Sequence, residues 1–224
     1  MRFQHESHRQ SVYFGTGDAA AGVADALGRL GAQRVMVIAS PRARDVATAV
    51  VAGQSVVHVH DEVTMHVPVP VAERARAAAA EHDADSLVSV GGGSATGLAK
   101  AVALTSGLPI VAVPTTYSGS EATTMWGLTD DRGKSTGTDP AVLPRAVVYD
   151  AELTGSLSVP ASVASGLNAL AHCVDSMWAP RADPINRTLA AEGIRALRDG
   201  LTLIVDDPSD VSGREQTLYA TYLS

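Results

Sequence analysis

Four short β-branched runs alternate with alanine-rich stretches along the first half of the chain, and this alternation leaves few folds open. The runs are 34–39 (RVMVIA), 56–60 (VVHVH), 86–90 (SLVSV) and 109–113 (PIVAV), each bounded by polar or turn residues, as buried parallel strands are. Around them lie 18–30 (DAAAGVADALGRL), 41–52, 70–82 (PVAERARAAAAEH) and 94–106, rich in strong helix formers. The order βαβαβαβ requires right-handed crossovers into an open, Rossmann-like parallel sheet whose ligand sits beyond the carboxyl ends of the strands. Chemistry is therefore expected at 39–42, 91–97 and 114–121.

The pattern changes twice further on. WGLTDDRGKSTG (126–137) reads as a hairpin turning at Asp131, Arg132 and Gly133, followed by a strand at 146–150 (AVVYD) that closes the first domain. After Leu153-Thr154-Gly155 the chain reads as helical, over roughly 160–178, 184–199 and 208–223, with Pro180, Pro184 and Pro208 as separators. The expected organisation is an α/β domain over 1–154 and an all-α domain over 155–224. The last helix runs to Ser224 without a capping glycine, so the helical domain is expected to be incomplete.

Composition narrows the partner. The 224 residues are 46% hydrophobic and 18% charged, enough for a buried core, and a net charge of -7 lacks the basic field that nucleic acid or an anionic membrane surface requires. A small molecule is the expected partner. Cys173 is the one cysteine, which excludes an internal disulfide. The opening MRFQHESHRQ has no apolar core, and no run reaches the roughly 18 apolar residues of a membrane span. A cytoplasmic location is expected.

The strongest motif is SLVSVGGGSATGLAKAVAL (86–104), a buried strand running through Gly91, Gly92, Gly93 and Ser94 into a helix. Residues without Cβ let a ligand approach the backbone, and a helix start offers free amides at the positive end of a dipole, which suits a pyrophosphate. The alternative is a tight strand-to-helix turn that binds nothing. PIVAVPTTYSGSEAT (109–123) collects Thr115, Thr116, Tyr117, Ser118, Ser120 and Glu121 at the same sheet edge, where hydroxyls bond phosphate or ribose, or only their own loop. Lys134 on its own residues is a solvated surface lysine. Asn168, His172 and Asp175 are spaced i, i+4, i+7 on one helical face, and two readings stand: ligation of a divalent metal or orientation of a substrate carboxylate. Leu167, Leu170, Ala171 and Val174 around them predict a largely buried helix. His5, His8, His58, His60, His66 and His82 have no ligand spacing on a common helix.

Taken together, GGGSATGLAKA, AVPTTYSGSEAT, GKSTGTDPAVLPRAVVYD and ASGLNALAHCVDS resemble, in order and over essentially the whole chain, the iron-containing alcohol dehydrogenase superfamily and its maleylacetate reductase branch. The resemblance implies the dehydroquinate synthase-like fold: a dinucleotide-binding α/β domain, a helical domain, and an active site in the cleft between them. By that resemblance Gly91, Gly92, Gly93 and Ser94 hold the pyrophosphate of NADH or NADPH. Thr115, Thr116 and Ser118 contact the cofactor, and Lys134 reaches its ribose or phosphate. The implied activity is reduction of maleylacetate, a small dicarboxylate, to 3-oxoadipate in aromatic-compound catabolism, by a homodimer.

Three departures matter. Where metal-dependent members carry the aspartate of GGGSxxDxAK, this chain has Gly97, as the maleylacetate branch does. Where they carry Asp-x-x-x-His, it has Asn168 before His172, and a neutral amide is a poor ligand for a divalent cation. No metal is therefore expected, with His172 acting on substrate and Asn168 orienting it. The family's later histidine-rich segment has no counterpart, and its residues are expected past Ser224. Where NAD-specific members place a carboxylate for the ribose 2′-hydroxyl stands Ser40, which does not repel a 2′-phosphate, so either cofactor is acceptable. The alternatives are a metal-dependent alcohol dehydrogenase of the same superfamily, or a nucleotide-binding fragment that does not turn over alone.

Overall fold

A computed structural model describes residues 1–180 and 182–224. Two compact units emerge, one formed by residues 10–115 and 120–150, the other by 1–9, 116–119 and 151–224.

The first unit is built on a six-stranded, all-parallel sheet in the order β1-β8-β5-β4-β2-β3. Its strands are β1 (Ser11–Phe14), β2 (Val35–Ile38), β3 (Val56–His60), β4 (Ser86–Gly91), β5 (Ile110–Pro114) and β8 (Ala146–Tyr149). Strands β2, β3, β4 and β5 have the β-branched runs that the sequence shows; β2, β4, β5 and β8 are buried along their whole length, whereas β3, at the sheet edge, is only partly buried. Strand β1 was not expected: SVYF is only four residues long, pairs on one side only, and keeps Val12 and Phe14 exposed.

Helices α1 (Ala19–Leu30), α2 (Arg44–Val50), α3 (Val69–Glu81) and α4 (Gly93–Ser106) make the crossovers. The expected 41–52 helix is split, with a 3-10 turn at Pro41–Ala43 ahead of α2. Right-handed connections place α1 and α2 on one face and α3 and α4 on the other. Against the second face, Met36, Ile38, Leu87 and Ile110 pack on Val71, Ala75, Leu98 and Val102 to form a hydrophobic core. The connection from β2 runs outward to β3, whereas those from β4 run the opposite way to β5. The switch point lies between β2 and β4, the place where open α/β sheets bind ligands. The hairpin β6 (Met125–Asp130) and β7 (Gly133–Thr138) forms a separate two-stranded sheet, turning at Asp131 and Arg132 with Gly133 at φ +127°.

The second unit holds α5 (Val159–Trp178), α6 (Pro184–Asp206) and α7 (Val211–Tyr222), capped by Ser158, Asp183 and Asp210. Helix α6 continues well beyond the expected end at 199. Gly200, which reads as a stop signal, is a packing residue instead: a Cβ there would lie 2.5 Å from Thr217 Oγ1 and 2.7 Å from the Gly213 carbonyl oxygen. The division expected after residue 154 falls at 150/151. Thr154 belongs with the helices because its hydroxyl accepts from Tyr117 and its carbonyl accepts from the buried Arg214 at 2.6 Å. Among the described residues no helix is long and apolar enough to cross a membrane.

Candidate active site

The glycine turn closes strand β4 and opens α4. Gly91 sits at φ +147°, a backbone region that side chains disfavour, and a Cβ there would stand 3.0 Å from Ala95 Cβ. Its carbonyl is occupied by the Thr115 amide at 3.0 Å, which fixes the end of β5 against the turn. Gly92, extended at φ -84° and ψ -165°, is the N-cap and makes no side-chain cap. Gly93 and Ser94 form the first turn, whose amides have no intrahelical partner. All three of Gly92, Gly93 and Ser94 are half-buried and reachable. Of the three glycines the sequence singles out together, Gly91 is the one whose conformation excludes other residues.

Across the switch point Ser40 follows β2, half-buried, in extended conformation at the start of the 3-10 turn. Its hydroxyl makes no capping hydrogen bond, so it is left for other partners. Lys134 lies in β7 opposite Thr129, solvent-exposed. Thr115 belongs to the sheet unit and is half-buried, whereas Thr116 and Ser118 count with the helical unit.

In that helical unit segment 116–119 is tied down by Tyr117. Its side chain is fully buried, its amide donates to Ser165 Oγ at 3.0 Å, and its hydroxyl donates to Thr154 Oγ1 at 3.0 Å. The Ser118 carbonyl then accepts from Asn168 Nδ2 at 3.2 Å, and the same amide nitrogen lies 3.3 Å from His172 Nε2. An amide N–H donated to Nε2 makes that nitrogen an acceptor and puts the ring proton of a neutral His172 on Nδ1. Asn168 thus orients the imidazole from one turn away.

The expectation of a largely buried helix is corrected here. Asn168, His172 and Asp175 are exposed, and so are Leu167 at 51% and Val174 at 45%. The buried stripe of α5 runs instead through Ser162, Gly166, Ala169 and Cys173, small residues that bring α6 close. Leu201 side-chain carbon would lie 2.8 Å from a Cβ at Gly166, and Cys173 Sγ 2.7 Å from one at Gly193. Apolar spacing alone did not tell the two faces apart, because alanines occur on both.

Lys100 escapes the sequence reading, and Glu121 reads there only as part of the polar loop 115–121. Lys100 and Glu121, which look like a helix-surface lysine and a loop carboxylate, are 1% and 0% exposed. Burial pushes the Lys100 ammonium down to about 8, with Glu121 offsetting part of the shift. Burial also pushes the Glu121 carboxyl up, against the hydrogen bond from Tyr149 and the charge of Lys100. The sequence signal was present in α4, whose residues Leu98 to Ala103 are all buried, leaving no solvent face for a lysine. The fold also stacks His58 on His82 with ring centroids 4.4 Å apart, though the two are distant in sequence. Among the described residues no three His, Cys, Asp or Glu side chains are placed to hold a metal ion.

Comparison with known proteins gives a consistent picture. Residues 10–151 match the family model described as iron-containing alcohol dehydrogenase, and 162–224 match that of the C-terminal region of the Fe-containing alcohol dehydrogenase family. Maleylacetate reductase 2 of Cupriavidus pinatubonensis is 48% identical over 95% of this chain and 60% of its own length. The maleylacetate reductase of Pseudomonas sp. strain P51 is 44% identical over 100% of this chain and 64% of its own. The crystal structure of an iron-containing alcohol dehydrogenase from Corynebacterium glutamicum superposes with a TM-score of 0.97 at 56% identity, over 100% of this chain and 63% of that one. The maleylacetate reductase from Agrobacterium tumefaciens gives a TM-score of 0.95 at 38% identity, over 100% and 64%. The chain therefore spans less than two thirds of the length of these relatives.

Proposed function

Since the chain belongs to the iron-containing alcohol dehydrogenase family, we propose that it binds NADH or NADPH and that the enzyme it is part of reduces the carbon–carbon double bond of maleylacetate to give 3-oxoadipate. The observation that carries the cofactor half is the Gly91 turn: a positive-φ residue where a Cβ would crowd Ala95, followed directly by the free amides of a helix start at the switch point of a parallel sheet. The pyrophosphate lies on Gly92, Gly93 and Ser94, with Thr115, Thr116, Ser118 and Lys134 as further cofactor contacts and Ser40 facing the ribose.

The nicotinamide, when bound, supplies the hydride to the carbon β to the ketone. What the chain does is manage charge and protons around that step. As hydride adds, the double-bond pair would shift to the bond between the α-carbon and the carbonyl carbon and the carbonyl π pair onto the ketone oxygen, and a hydrogen-bond donor at that enolate oxygen lowers the barrier. His172 takes this role, with Asn168 holding its ring; the α-carbon then takes up a proton. A histidine exposed on α5 is reachable by a small dicarboxylate. The substrate assignment rests on the likeness to maleylacetate reductases over 95% or more of the chain.

Asn168 and His172 do not together make a site for a divalent metal. Asn168 turns its amide nitrogen, a donor, toward Ser118 and His172, and contributes no anionic oxygen. We therefore propose a reaction without iron, although the family to which the chain belongs is described as iron-containing. A homodimer in the cytoplasm remains the proposed working form.

The cofactor placement is tested by fluorescence titration with NADH. Gly92→Val, which fills the cradle, should weaken binding; equal affinity of variant and parent overturns the placement.

A further inference from the structure

The Lys100 ammonium lies 2.7 Å from the Thr123 carbonyl oxygen, 3.1 Å from Thr123 Oγ1 and 2.9 Å from the Met125 carbonyl oxygen. An ammonium has three N–H donors, and three acceptors receive them. The Thr123 hydroxyl is free to accept because its own proton goes to the Ser120 carbonyl at 3.4 Å. Glu121, in the 3-10 turn Ser120–Ala122, is the carboxyl group whose field favours the Lys100 ammonium. Its Oε1 accepts from the Tyr149 hydroxyl at 2.9 Å, its Oε2 has no hydrogen-bond partner, and its carbonyl accepts from Gln10 Nε2 at 2.9 Å. A buried charge carries a desolvation cost that these hydrogen bonds offset, and removing it leaves their acceptors unpaired.

The two ends of this arrangement are the two places where cofactor contacts were assigned. Lys100 is on α4, two turns after the Gly91–Ser94 cradle, and its acceptors are the residues that lead into the hairpin carrying Lys134. We propose that Lys100 is a positioning residue that sets the β6-β7 hairpin, and with it Lys134, relative to the phosphate cradle. The inference rests on the cofactor reading given above. Lys100 touches no cofactor; it acts through Thr123 and Met125.

Two measurements on the full-length enzyme test it. The first is a double-mutant cycle in NADH affinity with Lys100→Met and Lys134→Ala. Lys100→Met should weaken NADH by about tenfold, the scale of leaving buried carbonyls unpaired. In that background Lys134→Ala should cost little more, because Lys134 has already lost its place. A purely structural lysine instead lets the two losses add, and additive losses overturn the proposal. The second measurement needs no cofactor. Trp126, in β6 next to Met125, is the one tryptophan of these 224 residues that remains in a Trp178→Phe background, and a Trp126→Phe control isolates its emission. Its emission should shift to the red on Lys100→Met; an unchanged spectrum means that the hairpin does not depend on Lys100, and the proposal fails. If Lys100→Met does not fold, Thr123→Val removes one acceptor only and is expected to show the same signs in smaller measure. An enzyme that binds no NADH refutes the cofactor reading, while the Trp126 measurement still judges the strut.

Discussion

At the scale of single residues, conformation and burial decide which positions matter. Gly91→Ala forces a side chain into a positive-φ site and onto Ala95, which should cost roughly 1–3 kcal/mol of stability and displace the cradle amides. Chemical denaturation together with NADH titration checks both effects, and a variant as stable as the parent contradicts them. Ser40→Asp places a carboxylate where a 2′-phosphate would sit and should shift the ratio of catalytic efficiencies toward NADH by about tenfold, or 1.4 kcal/mol. An unchanged ratio removes Ser40 from the ribose site. Lys100 adds a pH dependence. Its pKa is about 8 in the folded chain against the ordinary 10.5, so between those values the unfolded chain holds more protons and stability rises with pH. The gain is complete above 10.5 and is lost as pH falls through 8, and it amounts to roughly 3 kcal/mol at most. The charged group that acts on it is Glu121, which offsets part of the shift. Urea denaturation at pH 7.5 and 9.5 should show the parent gaining on Lys100→Met; parallel profiles contradict this.

At the scale of elements, two glycines in helices behave oppositely. Gly28, in the last turn of α1, is exposed, and a Cβ there meets nothing within 4 Å. Gly28→Ala should stabilise by about 0.5–1 kcal/mol through helix propensity alone. Gly200 lets α6 and α7 approach until a Cβ would touch the Gly213 backbone, which has nowhere to move. Gly200→Ala should therefore destabilise by roughly 1–3 kcal/mol, the cost of overpacking outweighing the same propensity gain. Thermal denaturation of the two variants checks the opposite signs. Element limits were legible where a strand met a turn, as at β3 and at the buried β4. They were not at Gly200, since a packing glycine and a terminating glycine read alike in sequence.

At the scale of the whole molecule, the question is what the helical unit contributes to the reaction. If Asn168 has taken the place of an anionic ligand and freed His172 for substrate, activity of the full-length enzyme should survive a chelator. It should fall by about 10²–10³-fold in His172→Ala, the typical cost of losing a positioned proton donor. Stoichiometric iron or zinc in active protein, with activity lost on chelation and restored by the metal, overturns the metal-free reaction. The exposed apolar residues of α5, Leu167, Val174 and Trp178, lie on the same helix as His172.

The sequence by itself determined the parallel α/β sheet, the glycine turn at the switch point and the family, because strand runs, crossover helices and a backbone-to-ligand approach are written in local residue types. Four motifs in order also carried the candidate residues. Only the tertiary structure decided that Gly91 holds the unusual conformation, that SVYF adds an edge strand, and that α5 shows Asn168 and His172 to solvent. It also decided that Lys100 and Glu121 lie buried. Each of these depends on which surface packs against which, a pairing between segments far apart in the chain. Local periodicity carries no record of it where alanine and glycine line both faces of a helix.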